Sequence, residues 1–304
     1  MIAVLCPGQG AQTPGMLRPW LDFPSVAERL GALSEATNID LITHGTTSDA
    51  DTIRDTAVAQ PLLVAMALAT AREVLSDAVP AVAAGHSVGE FGAAALAGAI
   101  SDADALRLVT VRARAMAHAA AAADPTSMAA VLGGNPDEVL AALASHGLTA
   151  ANMNGGGQVV AAGSKSAIAA LVASPPTRAR VIELQVAGAF HTQTMQPAVA
   201  ALAAAAASVQ AHDVAEVLIS NADGAPVTLG AHVLARLVSQ VANPVRWDLC
   251  QQTMLDMGVT AIIEVAPGGV LTGLAKRSMK GIPAVALKSP DDLDAARELL
   301  EAHA

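Results

Sequence analysis

The sequence predicts an α/β fold in which a parallel, helix-covered sheet is interrupted by a smaller α+β unit, and three observations carry the prediction. Short apolar runs alternate with longer alanine-rich, helix-favouring stretches, the pattern of parallel strands joined through helices. Between Ser127 and Ala187 the order changes to strand, helix, strand, strand, helix, strand, a split βαβ arrangement of the ferredoxin-like kind. A serine fenced by glycines, in Gly85-His86-Ser87-Val88-Gly89-Glu90, stands between an apolar run and a helical stretch, as at the strand-to-helix turn of hydrolase-like sheets. The expected organisation is a large hydrolase-like parallel-sheet domain over residues 1–123 and 189–304, with an inserted ferredoxin-like domain over 124–188.

Taken in order, Ile2 to Leu5 is short, apolar and followed by the glycine turn Pro7-Gly8-Gln9-Gly10-Ala11-Gln12, so it reads as a first strand. A helix is expected over about Pro61 to Leu75. Val79 to Ala84 is too short for anything but a strand, and it leads through GHSVGE into the helical FGAAALAGAI. Ser101 is a suitable N-cap for a helix over Asp102 to Ala123. Inside the inserted unit NPDEVLAALASHG and KSAIAALVAS are the helices, and Asn154 to Gly157, NGGG, is the hairpin turn. Val217 to Ser220, Ala261 to Val265 and Ala284 to Leu287 supply further strands, and Asp291 to Ala302 a last helix.

The chain has 304 residues, enough for a sizeable core, and is 53% hydrophobic with 14% charged residues. Much of the apolar count is alanine, and no window approaches ~18 uninterrupted large apolar residues, so no membrane span is expected. The N-terminus lacks a basic region ahead of its apolar residues, so it reads as a strand rather than a signal peptide, and a cytoplasmic location is the default. A net charge of −10 with 2% aromatics argues against a nucleic-acid binder. Cys6 and Cys250 are expected as buried thiols, and the eight histidines show no metal-ligand pairing, so no metal is expected.

A serine at such a tight turn exposes its hydroxyl next to a free backbone N–H at a helix N-terminus, which offers nucleophile and anion stabiliser together. Ser87 is therefore either a nucleophile or a structural turn residue. A serine needs a base, usually histidine. His86 is its neighbour in sequence and reads as a packing residue, whereas His191, in Gly188-Ala189-Phe190-His191, lies where the inserted unit returns the chain. No acid stands out to orient it. In the helix from Ser101, Arg107, Thr110, Arg114 and His118 share one solvated face, while Arg112 follows Leu108 and Val109 and precedes Met116 on the apolar face. A buried arginine must be paired, either with a structural carboxylate, which the helix alone slightly favours, or with one brought by substrate. The turn around Gly8 and Gly10 does not match a nucleotide loop, but it can offer a backbone N–H to an oxyanion.

Taken together, PGQGAQ, the AQP at Ala59 to Pro61, GHSVGE, Arg112 and GAFH resemble the malonyl-CoA:acyl carrier protein transacylases of fatty acid synthesis, most of all the alanine-rich actinobacterial members. The likeness continues through NGGGQVVAAG, VSQVANPVRW at Val238 to Trp247, EVAPGGVLTGLAKR at Glu264 to Arg277 and KSPDDLDAARELL. It implies Ser87 as nucleophile, His191 as base oriented by the Gln240 backbone carbonyl, and an oxyanion hole from the Gln9 and Val88 N–H groups. It implies that Arg112 holds the malonyl carboxylate, with Gln60 and Asn154 lining the cleft and Phe190 favouring malonyl over methylmalonyl units. The family usually has histidine or serine where this chain has Gly188 or Ala189. The implied reaction is ping-pong transfer of malonyl from malonyl-CoA to the phosphopantetheine thiol of acyl carrier protein, with no cofactor. A monomer is expected, with the carrier meeting Lys276, Arg277, Lys280 and Lys288, the densest basic cluster.

Rival readings are a malonyltransferase of a polyketide or malonate decarboxylase system, a serine thioesterase, and an inactive carrier-binding module. An inward Arg112 makes little sense for a neutral acyl group, and the module reading predicts loss of Ser87 or His191, both of which are present.

Overall fold

The computed structural model describes residues 1–76 and 78–303. Among these described residues there are ten strands: β1 (Ile2–Cys6), β2 (Val82–Gly85), β3 (Thr126–Gly133), β4 (Thr149–Gly155), β5 (Gln158–Ser164), β6 (Ala179–Glu183), β7 (Val217–Ile219), β8 (Pro226–Val227), β9 (Ala261–Glu264) and β10 (Ala284–Ala286). Six of them form a sheet in the order β10-β9-β1-β2-β7-β8, parallel except for β8, which pairs antiparallel with β7. The fold is thus a mixed α/β fold built on a parallel sheet.

Its central strands β9, β1 and β2 are buried on both faces and alternate between two cores. Val4 and Cys6 of β1 enter the larger core, with the helices Thr56–Leu75, Gly89–Leu96 and Asp102–Ala122, while Ala3 and Leu5 enter the smaller one with Trp247, Met254 and Leu271. At the end of β9 the fully buried Glu264 accepts N–H bonds from Gly269, Leu271 and Thr272 at 2.8–2.9 Å. Its carboxylate satisfies the first turn of the helix Val270–Ser278, which accounts for the EVAPGGVLTG stretch.

The other four strands form an antiparallel sheet, β4-β5-β3-β6. The helices Pro136–Ser145 and Lys165–Ala173 cover one face through Val139, Leu143, Ile168 and Leu171. Gly156 and Gly157, both at positive φ, make the two-residue β4–β5 turn expected from NGGG. Met128, Val160 and Ala162 of the opposite face join the larger core, and β4 bridges to Val245 through Met153 N–H and Ala151 carbonyl bonds of 2.9 Å.

The helix expected from Pro61 starts at Thr56 instead. Asp55 caps it, accepting the Ala57 N–H at 2.7 Å, and Pro61 costs only one bond near the first turn. This helix is long and apolar enough to cross a membrane, but most of it is buried within the protein. The strand placed at Val79 begins at Val82, Val79 itself being exposed. The last helix opens with a 3-10 turn, Pro290–Asp292, before Leu293–His303. Thr110 is not on the solvated stripe of its helix; it is buried and its hydroxyl donates to the Leu106 carbonyl, whereas Arg107, Arg114 and His118 are exposed.

Candidate active site

Between β2 and the helix Gly89–Leu96 the chain turns through His86, Ser87 and Val88, with Ser87 at a left-handed φ of 52°. That conformation costs an ordinary residue about 1–2 kcal/mol. Two glycines make the turn possible: a Cβ on Gly85 would lie 2.1 Å from the Gly89 carbonyl, and one on Gly89 would lie 2.2 Å from the Cys6 carbonyl oxygen. The turn is thus pressed backbone to backbone against the end of β1, where a Cβ on Gly8 would meet the His86 carbonyl at 2.6 Å. Asn221, fully buried beyond β7, pins the strained residue. Its Oδ1 accepts the Ser87 N–H and its Nδ2 donates to the Gly85 carbonyl, both at 2.7 Å.

The half-buried Ser87 Oγ lies 2.7 Å from His191 Nε2, which the structure brings from across the fold. His191, also left-handed with φ 59°, has its Nδ1 2.9 Å from the Gln240 carbonyl and 3.2 Å from that of Asn243. Two backbone acceptors thus fix the tautomer with Nε2 free to take the serine proton, and no acid is needed. Burial first, then the Arg112 charge, push the His191 pKa down to about 3, so the ring is neutral and cannot hold a resting proton.

Arg112 is 1% exposed, over the Phe91 ring at 5.7 Å. Its Nη1 donates to Gln60 Oε1 at 2.6 Å, and its Nη2 to Gln240 Oε1 at 2.9 Å and to Ser87 Oγ at 3.3 Å. All three acceptors are neutral, and Nε has no partner among the described residues. Burial lowers the guanidinium to about 9, with Glu90 pulling upward, so it remains a cation at neutral pH. Among the described residues no carboxylate is bonded directly to Arg112, so the structural pairing open to this arginine is not made by contact.

The N–H groups of Gln9 and Val88 have no acceptor among the described residues. Asn154 is buried on β4, its Oδ1 2.8 Å from His86 Nε2, and it makes no hydrogen bond to Ser87. His86 packs edge-on against Trp247. Phe190 is buried beside His191, and a side chain at Gly188 would crowd Ala120, so this part of GAFH is fixed by packing. The basic cluster divides: Lys276, Arg277 and Lys280 lie at the C-terminal end of the helix Val270–Ser278, and Lys288 passes Gly269 at its start. Arg277 is engaged with Gln158 of β5 at 3.0 Å. No group of three His, Cys, Asp or Glu among the described residues could hold a metal ion.

Sequence reasoning missed Asn221, Asn243, Glu90 and the Gln240 side chain. Glu90 is buried, accepting the Asn221 N–H at 3.0 Å and a bond from Gln240 Nε2, which also donates to the Ser87 carbonyl at 3.0 Å. Only Glu90 carried a signal, an acid fixed behind the glycine of the turn.

A serine on a strained strand-to-helix turn, a histidine base and a buried cation beside them describe a site for covalent acyl transfer. Residues 4–293 match the acyl transferase domain family, and the chain belongs to it. Among its relatives, the malonyl CoA-acyl carrier protein transacylase of Mycobacterium tuberculosis (strain H37Rv) is 50% identical over 298 residues, 97% of this chain and 98% of that protein. The crystal structure of MCAT from Mycobacterium tuberculosis superposes with a TM-score of 0.94 at 50% identity, covering 98% of this chain and 99% of the other. A second solved structure, a type II PKS acyl-carrier protein in complex with its malonyl-transacylase, is similar at a TM-score of 0.90 and 29% identity, over 98% and 99% of the chains.

Proposed function

We infer that this chain is a malonyl-CoA:acyl carrier protein transacylase that supplies fatty acid elongation. The observation that carries the reading is a nucleophile 2.7 Å from its base and 3.3 Å from a buried guanidinium that has no carboxylate partner. A thioesterase for neutral acyl groups gains nothing from such a cation, whereas an acyl group ending in a carboxylate gains a charge-assisted, two-pronged pair in a dry site.

Ser87 Oγ attacks the thioester carbonyl carbon as its proton passes to His191 Nε2. The oxyanion falls between the unpaired N–H groups of Gln9 and Val88, the second of them at a helix N-terminus. Collapse breaks the carbon–sulfur bond, and the departing CoA sulfur takes the proton back from His191, leaving malonyl-Ser87. The phosphopantetheine thiol of the carrier then repeats both steps in reverse, with His191 again the base. Substrate assists this chemistry, because a carboxylate on Arg112 cancels the positive charge that is the second cause of the low His191 pKa. Gln60 and Gln240 hold the guanidinium, Phe190 closes the pocket beside the base, and Asn154 sets His86 behind the nucleophile.

The two sheets support a large hydrolase-like unit, 1–123 and 189–304, with a ferredoxin-like unit, 124–188, set into it; the strand order of the small sheet is the main support. The carrier is read as docking on Lys276 and Lys280, with Arg277 partly spent on Gln158 and Lys288 a separate contact. The test is mass spectrometry after brief incubation with malonyl-CoA and no carrier. One malonyl group on the peptide containing Ser87 is expected, transferable to holo acyl carrier protein. CoA release without an adduct would favour the thioesterase, and neither product would exclude malonyl-CoA as donor.

A further inference from the structure

Glu90 is a buried charge that acyl transfer as described leaves unused. Its two oxygens accept the Asn221 N–H and Gln240 Nε2, while the same Gln240 side chain presents Oε1 to Arg112 Nη2 at 2.9 Å. One neutral amide is therefore interposed between a buried carboxylate and a buried guanidinium. A direct salt bridge would have to be broken before Arg112 could receive a ligand, and a bare guanidinium would be too costly to bury. The interposed amide avoids both.

We propose that Glu90 is the counter-charge of Arg112, coupled to it through the Gln240 amide, and that it takes up a proton when the malonyl carboxylate engages Arg112; this rests on the substrate assignment above. Without ligand the site holds one cation and one anion. The malonyl group adds a second anion, and two carboxylates around one guanidinium in a dry site leave an uncompensated charge. Protonation of one of them restores neutrality. The malonyl carboxylate contacts Arg112 directly and stays ionised, so the proton goes to Glu90, one amide further away.

Burial already raises the Glu90 pKa, while its hydrogen bonds from Asn221, Gln240 and Ser220 and the Arg112 charge hold it down. Ligand on Arg112 removes the last of these restraints. His191, whose low pKa is partly relieved by the same ligand, is the rival proton acceptor, which the comparison with Glu90→Gln separates; the groups that face Glu90 itself do not change state in step. Arg236 is paired with Asp223, and the Cys250 thiol is kept neutral chiefly by burial.

The experiment is calorimetric titration of the Ser87→Ala enzyme, which cannot be acylated, with malonyl-CoA and with acetyl-CoA in buffers of different ionisation enthalpy, from mildly acidic to mildly alkaline pH. Malonyl-CoA should take up more protons than acetyl-CoA, by up to about one per site, and its affinity should fall with rising pH by up to about tenfold per unit. Adding Glu90→Gln should abolish the extra uptake and the pH dependence. Infrared difference spectra of the Ser87→Ala complex should show a new carboxylic-acid C=O band, a readout independent of that variant. Tight binding of malonyl-CoA without extra proton uptake and without the band, or uptake that survives Glu90→Gln, would overturn the inference and leave the substrate assignment standing. Malonyl-CoA binding no better than acetyl-CoA at any pH would overturn both.

Discussion

Arg112→Ala separates a substrate-binding arginine from a structural one. The guanidinium is buried with Nη2 3.3 Å from Ser87 Oγ and Nη1 on the neutral Gln60, so a malonyl carboxylate that takes both terminal nitrogens gains two charge-assisted bonds. Each such bond contributes about 1.5–3 kcal/mol, and loss of one partner of a buried ion pair costs about 3–5 kcal/mol. On that basis kcat/KM for malonyl-CoA should fall by about 10²- to 10⁴-fold. Acetyl-CoA has no carboxylate to lose, and removing the cation relieves one cause of the low His191 pKa, so acetyl transfer should hold or rise. The assay is transfer of each acyl group to holo acyl carrier protein by the parent, Arg112→Ala and Arg112→Lys enzymes, with thermal melts alongside. Gln60 Oε1 and Gln240 Oε1 lose their donor, so some stability loss is expected in the alanine variant. A proportional fall in both acyl rates, together with full recovery by lysine, would show that Arg112 only holds the fold and would refute the reasoning.

Ser87→Ala and Ser87→Gly should both abolish acylation, and because Ser87 has a φ of 52° the glycine variant should be more stable than the alanine one by about 1 kcal/mol in denaturant melts. Gly89→Ala places a Cβ 2.2 Å from the Cys6 carbonyl oxygen, so it should cost about 3 kcal/mol or more and yield little folded protein. Glu264→Ala orphans two buried N–H groups, at about 1–3 kcal/mol each, and a part-buried third, and should lower the melting temperature while sparing kcat in what remains folded. His191 is depressed in the folded state, to about 3 from 6.5, so below the ordinary histidine range the unfolded chain binds a proton that the folded one does not. Its contribution is intact above that range and is lost as pH falls, by up to about 1.4 kcal/mol per unit. Denaturant melts of His191→Gln at neutral and mildly acidic pH should show a shallower decline than the parent.

What was legible in the sequence follows from what leaves a local pattern. Arg112 was placed inward because helical spacing puts it with Leu108, Val109 and Met116, and the NGGG hairpin because consecutive positive φ values need glycine. Asn221, Asn243 and the Gln240 side chain left no such trace. Each is polar, sits outside the interior of a regular element and acts on residues far along the chain, so neither period nor spacing marks it. Thr110 fell on a polar stripe by spacing but is buried, because its hydroxyl is satisfied by its own helix. The pairing of Ser87 with His191 was read from two separate motifs and from resemblance; only the fold sets them 2.7 Å apart.

The interlock of Gly8, Gly85 and Gly89 bears on how such an enzyme can change its diet. The Gly85–Gly89 contact closes the Ser87 turn on itself, and the Gly89–Cys6 and Gly8–His86 contacts seat it against β1 and its loop, which carries the unpaired Gln9 N–H, by peptide groups with no side chain between them. Substitutions elsewhere in the core can repack side chains without altering that spacing. The residues proposed to meet the acyl tail, Arg112 and Phe190, are side chains on separate segments of the chain. Acyl preference can therefore drift by ordinary point mutation while the reacting geometry is inherited unchanged, and redesign toward another acyl unit should begin at those two positions and leave the glycines alone.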